Sequence, residues 1–77
     1  MELYGYDKQA QSPEDGPIAL TEVSLVATPK ELRLIAQFLS SAADRMDNMG
    51  DRYDHEHLAD EVSGFKSSPD FILLRST

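Results

Sequence analysis

The run Thr28-Pro29-Lys30-Glu31 fixes where the longest element of this chain begins. The Thr28 hydroxyl is placed to accept the free amide three residues on, while the Glu31 carboxylate reaches back to the Thr28 amide. Two of the donors that a helix leaves open at its start are thereby satisfied. Pro29 at the first helical position gives up an amide that had no partner there. Behind this box Leu32, Ile35, Leu39, Ala42, Met46 and Met49 recur at spacings of three and four, and Phe38 widens the stripe. Gly50 follows as a stop, since glycine alone reaches positive φ without penalty. A helix is predicted over 29–49, about 31 Å long. Its single apolar face has to lie on something.

Strands are the expected support. Residues 1–6, with Leu3 and Gly5 on one side and Tyr4 and Tyr6 on the other, read as a short strand by their period of two. A second is expected over 18–27, where Thr21, Val23, Leu25 and Ala27 share the core face and Leu20, Glu22, Ser24 and Val26 the other. Residues 71–75, apolar on both sides, form a third. Between the first two, Ser12-Pro13-Glu14-Asp15-Gly16-Pro17 forbids regular pairing, so 7–17 reads as a flexible loop. After Gly50, Leu58-Ala59-Asp60-Glu61-Val62 predicts a short helical turn near 55–62, capped by Asp54. Ser63-Gly64-Phe65-Lys66-Ser67-Ser68-Pro69-Asp70 reads as a turn-rich loop. The expected architecture is a single α+β domain over 1–77, a small three-stranded sheet with the long helix packed on one face. A right-handed crossover would join the second strand to the last if they run parallel. The other sheet face then needs cover for Leu20, Val26, Ile72 and Leu74, either from the 53–65 segment or from a second copy, and a homodimer is the expectation.

With 77 residues the chain has room for one thin core and little for a deep cleft. Having no cysteine, it must be held by packing without disulfides or a thiolate metal site. Fourteen acidic against seven basic residues leave a net charge of −7, which repels nucleic acid and anionic membrane. No apolar run approaches the roughly 20 residues of a membrane span. Met1-Glu2-Leu3-Tyr4 lacks the basic and apolar segments of a signal peptide.

One cluster of side chains invites chemistry, Asp54-His55-Glu56-His57. In a helix or turn, histidines two apart diverge, and the spacing differs from the His-Glu-x-x-His that sets both imidazoles on one helical face. A metal site is therefore not expected. The four glycines are scattered and build no phosphate loop, and the serines lack a histidine base with an orienting acid. No catalytic residue and no cofactor is predicted. Asp44, Asp47, Asp51, Asp54, Glu56, Asp60 and Glu61 crowd into eighteen residues whose only fixed cations are Arg45 and Arg52. Together with His55 and His57 they form the expected partner-binding surface, complementary to a basic protein.

Four stretches carry a resemblance: Glu22-Val23-Ser24-Leu25-Val26-Ala27-Thr28-Pro29-Lys30-Glu31-Leu32, Ser41-Ala42-Ala43-Asp44-Arg45-Met46, Tyr53-Asp54-His55-Glu56-His57-Leu58, and Ser68-Pro69-Asp70-Phe71-Ile72. Over residues 18–75 the chain resembles immunity protein family thirty-two, small proteins of bacterial polymorphic toxin systems. The resemblance implies a non-catalytic cytoplasmic binder that neutralises a cognate toxin. The alternative is a small homodimeric structural or regulatory protein with no toxin partner.

Overall fold

The computed structural model of the chain describes residues 1–6 and 16–76, so most of the loop expected over 7–17 lies outside the described residues. Strand β1 (Tyr4–Gly5) pairs antiparallel with β2 (Ile18–Ala19). Helix α1 (Pro29–Met49) follows, then a single 3-10 turn (Gly50–Arg52), strand β3 (His55–His57), the one-turn helix α2 (Leu58–Glu61) and strand β4 (Ile72–Leu74).

Helix α1 starts and ends at the expected residues, with every feature of the box in place. The Glu31 amide donates to the Thr28 hydroxyl at 3.2 Å, and the Thr28 amide donates to the Glu31 carboxylate at 2.8 Å. The Thr28 amide donating to the charged carboxylate is the main cause that holds the Glu31 carboxyl below the usual glutamate range. At the other end the Gly50 amide donates to the Met46 carbonyl, with φ 57° and ψ −128°, a backbone region that a β-carbon makes costly. The Arg75 guanidinium comes from beyond β4 to donate to the same Met46 carbonyl at 2.8 Å. It places a cation at the negative end of the helix dipole.

The expected three-stranded sheet is not formed. Two separate two-stranded antiparallel ladders take its place, β1 with β2 and β3 with β4. The segment expected as a strand over 18–27 pairs only at Ile18–Ala19, extended by one bond from the Leu20 amide to the Leu3 carbonyl, and the strand expected over 1–6 shrinks to match. A strand is defined by its partner, and β4, expected as part of the three-stranded sheet, pairs with β3 instead. The pairs His55 with Leu74, Glu56 with Leu73 and His57 with Ile72 set that register, and the Leu58 amide adds a bond to the Phe71 carbonyl. The segment expected as a capped helical turn near 55–62 is therefore a strand followed by a helical turn. Asp54 does not cap α2, whose N-cap is His57 without a side-chain bond.

The core sits between α1, α2 and the loop beyond it. Ile35 and Phe38 of α1 pack with Leu58 and with Phe65, and Leu34, Ala59, Val62 and Leu73 close around them. Ala42 and Tyr53 are buried as well. The buried face of α1 is rotated from the predicted stripe, because Leu32, Leu39 and Met49 are exposed while Leu34 and Arg45 turn inward. No residue of the β1–β2 hairpin belongs to this cluster. Within the hairpin Leu20 lies over Gly5, where a β-carbon would come within 3.1 Å of its side chain.

Two substitutions test the helix ends. Thr28→Ala removes the hydroxyl half of the box and lowers the unfolding free energy by about 0.5–2 kcal/mol in chemical denaturation. Gly50→Ala meets no neighbouring atom, so its loss of about 1–3 kcal/mol is backbone strain alone, and the same assay reads it.

Candidate partner-binding surface

The β3–β4 ladder divides its side chains between two environments. Glu56 and the residue opposite it, Leu73, point toward α1 and the core, while His55, His57, Leu74 and Ile72 share the other face. On the inner side Arg45 closes a two-pronged bond onto Glu56, Nε to Oε1 at 2.7 Å and Nη2 to Oε2 at 2.5 Å. The Glu56 side chain is only 12% exposed. Its carboxyl is held below the usual glutamate range, chiefly by the Arg45 hydrogen bonds, against burial that works the other way. Tyr53 is buried beside this pair. Burial and then the Glu56 charge push its phenol up, and its hydroxyl makes no well-formed hydrogen bond.

The outer side is open. Ile72 and Leu74 are 43% and 69% exposed, and the His55 and His57 rings stand edge to face with centroids 5.1 Å apart. His55 Nδ1 lies 2.7 Å from a carboxylate oxygen of Asp54, which itself stands in solvent. The premise that the two histidines diverge is corrected here: on a strand, residues two apart face one way. Among the described residues no group of three histidine, aspartate or glutamate side chains converges in a way that could hold a metal ion.

The other carboxylates of the predicted surface lie on other elements. Asp44 and Asp47 stand on the exposed side of α1, Asp51 in the 3-10 turn, and Asp60 and Glu61 on α2, all exposed. The chain folds three arginines into the same region. Arg45 is held by Glu56, Arg52 reaches the Met49 carbonyl at 3.4 Å, and Arg75 reaches that of Met46. Sequence reasoning missed the Arg45–Glu56 pair, although a signal was present. Arg45 falls three residues after Ala42 and seven after Phe38, on the buried stripe, where a cation requires a carboxylate. It also left Ile72 and Leu74 out of the site, having placed them on the face that needs cover. An open groove lies between α1 and the end of α2, lined by Leu34, Gln37, Phe38, Ser41, Arg45 and Glu61. It lacks the enclosed apolar wall that a small ligand requires.

The family model Immunity protein 32 matches residues 22–76. The chain belongs to this immunity protein family. The match opens on the segment leading into α1 and takes in the whole core and the β3–β4 ladder, and it leaves β1 and β2 outside. No curated protein and no solved structure gives a significant match to the chain. No helix of the described residues is long and apolar enough to cross a membrane.

The Arg45–Glu56 pair predicts an acid limb in the stability of this immunity-family domain. A carboxyl whose folded-state pKa is depressed contributes stability that is present above its unfolded value and lost as pH falls through the folded one. Glu31 adds to the same limb for the same reason. Glu56→Gln lowers the thermal midpoint at neutral pH and flattens its fall below the usual glutamate pKa. Thermal melts of wild type and variant across the acidic range check this, and an unchanged acid slope would remove the pair from the stability balance.

Proposed function

We propose that this protein is a non-catalytic, cytoplasmic immunity protein that neutralises a cognate bacterial toxin of a polymorphic toxin system by binding it directly. Membership of the Immunity protein 32 family carries this reading. The partner is a protein with a basic surface, met by Asp44, Asp47, Asp51, Asp54, Asp60 and Glu61 together with the outer face of the β3–β4 ladder. An apolar centre with a polar rim is the usual anatomy of a protein interface. Ile72 and Leu74 with the two imidazoles supply the centre here, and Asp54 begins the rim. Glu56 belongs to the same surface in a supporting role, since its bond to Arg45 fixes β3 on α1 and so fixes where His55 and His57 stand. A homodimer is part of this reading, because large apolar side chains remain exposed on the single chain.

Binding kinetics against the toxin encoded beside the gene test the surface. Asp54→Asn combined with Asp60→Asn is expected to slow association by about 3–10-fold at low salt, with the difference fading as salt screens it. Leu74→Ala is expected to act on dissociation instead. Unchanged rates for both variants with the fold intact would move the interface elsewhere on the molecule.

A further inference from the structure

Residues 21–27 have the composition of a strand and none of its bonding. Val23, Leu25 and Val26 are 61%, 58% and 96% exposed, and the segment adopts no helix or strand. Among the described residues none of its amides or carbonyls makes a backbone hydrogen bond. It holds one carboxylate at its beginning, Glu22, and neither the lysine nor the proline that natural edge strands use against pairing.

We propose that residues 21–27 pair antiparallel with the same residues of a second copy, about a twofold axis at Ser24. This deepens the homodimer part of the function proposed above and is independent of the toxin. Charge selects the occupant. A chain of net charge −7 repels its own copy over most of its surface, and this nearly neutral run is where two copies approach at least cost. A basic partner finds little here to recognise. The sequence is also self-complementary in this register. Val23 of each copy stands opposite Leu25 of the other, so four aliphatic side chains share one face, and Glu22 stands opposite Val26. The two Glu22 carboxylates fall at opposite ends, about 14 Å apart along the strands. That exceeds the screening length of about 10 Å at 0.1 M salt. The ladder gives partners to the unpaired backbone groups and removes apolar surface from water together.

Light scattering at high micromolar concentration tests the proposal on the full chain without toxin. Wild type is expected at twice the chain mass, with amide exchange at Ser24 and Val26 slowing as concentration rises. Ser24→Pro removes an amide from the centre of the ladder but breaks no bond within the chain, so it is expected at half the wild-type mass with unchanged helix content by circular dichroism. Leu25→Lys is the second variant should the proline disturb the fold. A wild-type monomer, or a dimer that survives both substitutions with native helix content, overturns the proposal. Amides that slow only when toxin is added overturn it as well, and would assign the segment to toxin binding. Toxin binding retained by a monomeric Ser24→Pro separates the two readings.

Discussion

Everything in this domain is arranged around Phe38. It is the most buried large side chain on α1, and the elements that follow the helix each send one residue to it or to its neighbour Ile35: α2 sends Leu58, the loop beyond sends Phe65, and β4 closes in with Leu73. Burying a side chain of this size stabilises the fold by about 1.5–3 kcal/mol. In so small a core a handful of such burials has to offset the entropy of ordering the whole chain. That explains why the single long helix is so firmly specified at both ends.

The Arg45–Glu56 bond follows from the same geometry. Arg45 lies on the face that Phe38 turns inward, so its guanidinium arrives at the edge of the core whether or not a partner is present. Glu56 is delivered by a strand whose register with β4 puts Leu73 and Glu56 on one side. The pair is partly open to water, which limits its energetic weight. Its stronger effect is geometric, since two parallel bonds fix the roll of β3 relative to α1. The roll of β3 in turn decides that His55 and His57 face out. A bond near the core thereby sets which residues the ladder presents to solvent.

Elements whose residues announce their own neighbours were legible in the sequence. The box at Thr28 and Glu31 is local chemistry, and the helix it opens runs to the expected residue. Elements whose identity depends on distant pairing were not. In β3 the usual alternation is inverted, with a charged residue inward and two imidazoles outward, so hydrophobic periodicity points away from a strand and only contact with β4 and Arg45 makes it one. The segment 18–27 fails in the opposite way, showing good alternation without a partner along most of its length. Phe65 was hidden because a core residue on a turn-rich loop carries no periodic signal. Of the surface, the exposed carboxylates were readable directly. The inward turn of Glu56 and the arrival of Arg75 at the end of α1 were not, because both need the tertiary fold.

The boundary of the family match gives this division a further meaning. Residues 22–76 contain the complete core, the Arg45–Glu56 bond and the outer β3–β4 face, while β1 and β2 lie outside them and give nothing to the core. A unit that keeps its packing and its exposed ladder within one continuous stretch can hold that ladder rigid while the hairpin varies independently. The two faces of the ladder divide the same way. Substitution at Leu73 or Glu56 disturbs the fold, whereas substitution at His55, His57, Ile72 or Leu74 touches no packed residue of the core. Such a separation suits the proposed role, because side chains on the outer face can change at little cost to stability.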